Sequence, residues 1–321
     1  MSETKAIGGY FGLQENNTGI GYYPHLLALN TGRNAFEHIL LLRRYKKVYL
    51  PYFTCDVLLE PLKKHAIEIV FYKINELLEP VSLPILDKED AFLYTNYFGI
   101  KSNYINYLAT GVKQLIIDNA QAFFVPPVPG VDTFYSPRKF FGVPDGAYVT
   151  TENKKGVQYE RDHSTGRFSH LLLRVDSGAS AGYEDFKKND AQLSGQPIKL
   201  MSKLTKNLLS NINYEEAKGK RNANFQFLHK ALAERNQFQI QPEEDITGPM
   251  VYPFRTTNTT IRKRLIDNNI FVATYWPNVF NWLTENEMEY KLSREIIPLP
   301  VDQRYNENDL NFILQIIHAT P

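Results

Sequence analysis

The sequence predicts an α/β protein, with a mostly parallel central sheet flanked by helices and a smaller C-terminal α+β unit. Three observations carry this. Helix-like and strand-like patterns alternate from about residue 34 to 151, as in βαβ units. The strand candidates AFLYT and LII are short continuous apolar runs, the pattern of buried strands. After about residue 152 the chain turns polar and weakly periodic, then continues as longer helical patterns with strand-like runs between them. We place the large α/β domain at 1–200 and the smaller domain at 201–321.

Each element has a local reason. The opening segment to about Tyr23 is rich in Gly and Asn and reads as irregular. NAFEHILLLRRY (34–45) repeats apolar residues at helical spacing. KVYLP (47–51) is a short apolar run stopped by Pro51. CDVLLEPLKKH (55–65) reads as a helix whose Pro61 kinks it or shifts its start. AIEIVFY (66–72) alternates, AFLYTNYFG (91–99) is a strand entering a turn, and 102–110 is a helix. QLIIDNA (114–120), VDTFYS (131–136) and GAYVTT (146–151) are strands. Further on, 213–235 is a long charged helix with one apolar face. PMVYPFR (249–255) and IFVATYW (270–276) look like strands, with the helix TTIRKRLIDNN between them. IIPLPVD (296–302) and a last helix, NENDLNFILQIIHA, close the chain. No internal repeat and no low-complexity tract is present.

Composition narrows the function classes. With 321 residues, 43% hydrophobic and 22% charged, the chain can bury a sizeable core. A formal net charge of +1 gives no global field for nucleic acid or an anionic membrane, so any anion site is local. The single cysteine, Cys55, excludes intrachain disulfides and cysteine zinc clusters. The N-terminus lacks an apolar core of signal-peptide length, and no run approaches the roughly 18–20 apolar residues that span a bilayer. The expectation is a cytoplasmic protein. The seven histidines show no HxxxH or HxH spacing, and GxSxG, GxxxxGK[ST] and GxGxxG are absent. No metal site is expected.

Ligands of parallel sheets sit at the carboxyl ends of strands. Asp118 ends the run LIID, where it either caps the next turn or faces a ligand, and Gln121 follows three residues later. Lys139 lies 21 residues after Asp118, in the turn between two strand candidates. Alone it is a solvated turn lysine. Ser136-Pro137-Arg138-Lys139, however, groups a hydroxyl, a guanidinium and an amine suited to an anion such as phosphate. Thr31-Gly32-Arg33 precedes the helix at 34–45, where free N–H groups and the helix dipole favour an anion, though Thr before Gly is also a plain N-cap. Together these features fit pyridoxal phosphate, which needs a lysine amine for a Schiff base, a carboxylate at its pyridine nitrogen and a helix start for its phosphate.

On these residues the sequence resembles the DegT/DnrJ/EryC1/StrS family of PLP-dependent sugar aminotransferases, which have the aspartate aminotransferase fold (fold type I). The resemblance runs through most of the chain. GGYFGLQ (8–14) is similar to the family's Gly-aromatic opening, and Thr31-Gly32-Arg33-Asn34-Ala35-Phe36 to its phosphate loop. Pro51-Tyr52-Phe53-Thr54 is similar to its P-x-x-T turn, and Asn96-Tyr97-Phe98-Gly99 to its H-x-x-G strand end. Ile117-Asp118-Asn119-Ala120-Gln121-Ala122 resembles E-D-x-A-Q-A, the most specific match. IIPLPVDQRYNENDLNFILQII resembles the closing segment.

The resemblance implies that Lys139 forms the Schiff base and moves the substrate proton, that Asp118 binds the pyridine nitrogen, and that Gln121 lies near the ring hydroxyl. Thr31, Gly32, Arg33 and Ser136 become the phosphate ligands. It implies transfer of an amino group from an amino acid, glutamate by expectation, to a nucleotide-linked keto-sugar, in surface-polysaccharide or amino-sugar biosynthesis. It also implies a homodimer with the site at its interface, the partner-chain asparagine being matched with Asn211. Three departures stand out. Cys55 occupies the place of a ring-stacking aromatic, so Phe53 or Asn96-Tyr97 covers the ring, or nothing does. Val143-Pro144-Asp145-Gly146-Ala147 replaces the family's GEGG, and Arg33 replaces a small residue. These departures motivate an alternative, a member that has lost catalysis and serves as a PLP-binding or assembly protein.

Overall fold

The computed structural model describes residues 13, 20–150, 158–240 and 246–319. The segment at 8–14, apart from Leu13, lies outside the described residues.

The chain runs β1 (Leu27–Leu29), α1 (Gly32–Arg43), β2 (Lys47–Pro51), α2 (Leu59–Lys64), β3 (Glu68–Tyr72), β4 (Asp90–Thr95), α3 (Ser102–Gly111), β5 (Leu115–Asn119), β6 (Asp132–Tyr135) and β7 (Ala147–Thr150). These strands form one seven-stranded sheet in the order β1-β7-β6-β5-β4-β2-β3. The pairings β2–β3, β2–β4, β4–β5 and β5–β6 are parallel, whereas β7 is antiparallel to both β6 and β1. The carboxyl ends of β2, β4, β5 and β6 therefore open on one side, and loops entering there share a crevice.

Every residue of β4 and β5 is buried, as expected where both faces of a parallel sheet are covered. Successive side chains divide between two cores. Leu93, Ile116 and Phe134 pack with Ala35, Phe36, Ile39 and Leu40 of α1. Phe92, Tyr94, Ile117 and Tyr135 face the other core, which extends to the C-terminal elements. Each large side chain buried by α1 contributes about 1.5–3 kcal/mol.

The remainder comprises α4 (Ser169–Ser177), α5 (Tyr183–Gln192), α6 (Lys203–Ser210), α7 (Tyr214–Leu232), β8 (Val251–Arg255), α8 (Thr259–Asp267), α9 (Val279–Trp282), α10 (Met288–Glu295), β9 (Ile296–Pro300) and α11 (Glu307–His318). β8 and β9 pair antiparallel as a separate two-stranded sheet.

Most local expectations hold. Pro61 falls in the first turn of α2, which begins at Leu59 after a 3-10 turn at Asp56–Leu58, so the proline shifts the start. Two expectations are corrected. IFVATYW is not a strand, and β8 pairs with β9. Val272 and Trp276 are buried, so the apolar and β-branched run reflects burial without a ladder partner. The polar stretch at 152–200 holds α4 and α5. In α4 the apolar residues Leu172, Leu173 and Val175 are exposed, and in α5 only Asn189 is buried, so neither shows a core-facing stripe. Among the described residues no helix is long and apolar enough to cross a membrane.

Candidate active site

α1 begins where Thr31 leaves extended backbone, and its Oγ1 accepts the Asn34 N–H at 3.1 Å. That cap uses one of the first free N–H groups and leaves those of the first turn facing out. Gly32 lies opposite Ser136, which follows β6, so two of the predicted phosphate contacts face each other. Lys139 ends a 3-10 turn that starts at buried Pro137, and its N–H bonds the Ser136 carbonyl at 3.3 Å. Asp118 is the fourth residue of β5.

A cleft of about 170 Å³ brings these together. Thr31, Gly32, Arg33, Asp118, Ser136 and Lys139 all line it, with Cys55 and Asp145. Six of the seven predicted site residues therefore meet, although they span 109 positions of sequence from Thr31 to Lys139. Lys139 is exposed, which leaves its amine free to meet a ligand.

The electrostatics separate the members. Asp118 is 7% exposed. Burial pushes its carboxyl above the usual range, and the Lys139 cation and the Ala120 N–H, 2.8 Å from Oδ1, pull the other way. Burial likewise pushes the Cys55 thiol up, opposed by Lys139. Lys139 thus acts on both groups.

Two predicted residues are placed differently. Arg33 lines the cleft, but its Nη1 is 2.6 Å from Glu60 Oε2, and Glu60 also takes the Ser194 hydroxyl and the Gly195 N–H. Its charge is thus shared with Glu60, which weakens its pull on a phosphate. Gln121 does not line the cleft. Its Oε1 accepts the Phe98 N–H at 2.8 Å, steadying a turn in which Phe98 and Gly99 have φ of 58° and 78°. Its Nε2 is buried with no partner among the described residues.

The expected substitutes over the ring are also corrected. Phe53 and Tyr97 are fully buried, joined by the Tyr97 hydroxyl donating to the Phe53 carbonyl at 3.0 Å, and neither lines the cleft. Nor does Asn96, whose Oδ1 accepts the Lys101 N–H. Cys55 alone of these positions borders the cleft.

The segment after Lys139 is anchored on both sides. Phe140 and Phe141 pack on Phe123 and Phe124 with ring centroids 5.1–6.1 Å apart. The Phe140 carbonyl accepts from Arg221 at 3.3 Å and from Gln303 at 3.0 Å. Asp145 is 1% exposed and accepts from Ser164, Thr205 and Arg167, each at 2.5 Å. Sequence reading missed this role for Asp145 and missed Asp190, which lines the cleft from α5. The only local signal was that a buried-type segment, FFGVPDGA, contained an acid.

No family model matches the chain, and no curated protein matches it in sequence. Solved structures do match in shape. Sugar aminotransferase CalS13 from Micromonospora echinospora aligns over 93% of this chain and 88% of its own, with a TM-score of 0.64 at 15% identity. A DegT DnrJ EryC1 StrS aminotransferase from Brucella abortus aligns over 92% and 85%, with a TM-score of 0.63 at 15% identity. DesV of S. venezuelae, solved in complex with a ketimine intermediate, aligns over 92% and 84%, with a TM-score of 0.61 at 16% identity. The fold is that of these aminotransferases.

Proposed function

We propose that this chain is a pyridoxal-phosphate-dependent aminotransferase of the DegT/DnrJ/EryC1/StrS family, moving an amino group from an amino acid to a keto-sugar. The observation that carries the reading is the meeting of Lys139, Asp118 and the α1 N-terminus in one cleft at the strand ends. The residues fit the cofactor. A buried carboxylate that takes a single N–H among the described residues retains acceptor capacity for a protonated ring nitrogen. Gly32 facing Ser136 at a helix start suits a phosphate.

Bound there, the cofactor supplies an aldehyde that condenses with amines and a protonated ring that draws electrons from the adjacent carbon. Lys139 Nζ is the amine that holds the aldehyde and the base that moves the substrate proton. Asp118 keeps the ring nitrogen protonated through a charge-assisted hydrogen bond. The helix start, Thr31, Gly32 and Ser136 orient the phosphate. Arg33 supports this wall through its ion pair with Glu60.

Glutamate as donor, a nucleotide-linked acceptor, a homodimer with a shared site, and a large cofactor-binding part ending near residue 200 belong to the same reading, and the resemblance supports them. The retention of both Lys139 and Asp118 in the cleft favours catalysis over a binding or assembly role. The test is an absorbance titration. Adding PLP is expected to produce a visible band that glutamate then removes. A protein that takes up no PLP overturns the reading, and one whose band no amino donor removes has kept the cofactor without the reaction.

A further inference from the structure

Two cavities meet at Arg138 and Lys139, since both residues line each of them. One is the cleft above. The other, about 590 Å³, runs between the Lys139 segment, the α4–α5 pair and the loop at 302–304. Its charge is one-sided. Arg138, Lys139, Arg174, Arg221 and Arg304 line it against a single carboxylate, Asp302. Arg304 already holds Asp302 through Nε and Nη2 at 2.7 and 2.9 Å. Arg221 is likewise committed, to the carbonyls of Phe140, Pro249 and Met250 and to Gln303. A surplus of cations around a partly aromatic cavity favours an anion.

Arg138 differs from the others. Its Nη1 donates to Asp190 Oδ1 at 2.7 Å, and its guanidinium lies 5.1 Å from the Phe186 ring centroid. Its Nε and Nη2 are buried with no hydrogen-bond partner among the described residues. That edge is the one this protein uses to grip carboxylates elsewhere. Arg43 takes Asp132 through Nε and Nη2 at 2.7 and 2.8 Å, as Arg304 takes Asp302. Two unpartnered donors on a cation carry a cost that a matching carboxylate would remove. His170 packs on the same Phe186 ring, with centroids 5.7 Å apart, and its Nδ1 is also buried without a partner among the described residues. Burial, and then Arg138, push it toward the neutral form, so the positive charge beside Phe186 rests on Arg138.

We propose that Arg138 is the carboxylate receptor of the amino-acid donor, holding the α-carboxylate by its Nε–Nη2 edge at the mouth of this second cavity. Lys139 lines both cavities with Arg138, so one substrate lying across their junction reaches both. Nε and Nη2 are covered, and the donor reaches them by a turn of the Arg138 side chain away from Asp190. Arg138 is 17% exposed and Asp190 is half exposed, at 50%, so water reaches the carboxylate and weakens the pair the turn must break. The inference rests on the aminotransfer reading above.

The experiment uses PLP-loaded wild type, Arg138→Met and Arg138→Lys, with loss of the cofactor band followed for L-glutamate and for isoglutamine, which lacks the α-carboxylate. In the wild type glutamate should react about 10- to 100-fold more efficiently, the range for a hydrogen-bonded charge contact. In Arg138→Met that ratio should collapse toward one while PLP affinity stays within about threefold of the wild type. Arg138→Lys should be intermediate. An unchanged ratio in Arg138→Met overturns the proposal. So does a large loss of PLP affinity with the ratio preserved, which would assign Arg138 to the cofactor phosphate. A wild type that does not prefer glutamate overturns it without any variant. Failure of the wild type to bind PLP is seen before any donor is added, and it sinks the aminotransfer reading itself.

Discussion

Asp118 and Asp145 border the same cleft, and both are buried, but the fold treats them in opposite ways. Asp145 is surrounded by donors, with Arg167, Ser164 and Thr205 on its two oxygens and Arg167 shared with Asp162. Among the described residues Asp118 has one backbone N–H and the field of Lys139. A carboxylate that the chain itself saturates holds structure. One left with spare acceptor capacity in a cleft, beside an exposed lysine, is kept for a ligand. The segment between them, from the LIID strand end to the Asp145 anchor, thus joins a rigid support to an underpartnered site.

The comparison can be broken most directly at Lys139. Lys139→Ala is expected to abolish the PLP absorbance band and to lower transamination by roughly 10³-fold or more, within the range lost with a nucleophile and base. Next, the two acids should diverge when each is made neutral. Asp118→Asn should cost about 10²-fold or more in turnover yet raise the melting temperature of the cofactor-free protein by about 1–3 °C, because a buried, poorly partnered charge is removed. Asp145→Asn should instead destabilise by about 3–5 kcal/mol, as when one partner of a buried ion pair is lost. Denaturant melts at neutral pH measure both, and equal effects would erase the distinction.

A pH series sharpens it further. Folding raises the Asp118 pKa, so the native state holds that proton to higher pH than the unfolded chain. The associated stability is therefore present below the ordinary carboxylate range and is lost as pH rises through the raised value. Cofactor-free wild type should lose stability across that window, and Asp118→Asn should lose less. The smallest effect is expected at Cys55. Its alkylation rate should rise with pH later than that of a free thiol, and later still in Lys139→Ala, where the cation that opposes burial is gone.

Much of the site was legible because its parts are local. Asp118 ends an apolar strand, Thr31-Gly32 starts a helix and Lys139 sits in a turn, and each pattern has its own chemical reading. What was not legible depends on distant pairs. Arg33 reads as an anion ligand until Glu60, 27 residues away, is found against it. Arg138 meets Asp190 across 52 residues, on a helix with no core-facing stripe to announce it. Gln121 reads as a ring neighbour but holds the turn at Phe98. IFVATYW has strand composition, yet it pairs with neither β8 nor β9, and its Val272 and Trp276 are buried by packing.

The amino-acid sequence by itself determined the alternating elements, the parallel core of the sheet and six of the residues that meet in the cleft, because periodicity and strand ends are properties of neighbours in the chain. Only the tertiary structure decided which charges are neutralised and which are left for a ligand. Partnering of buried charge depends on distances between segments far apart in sequence, and those distances are set by packing.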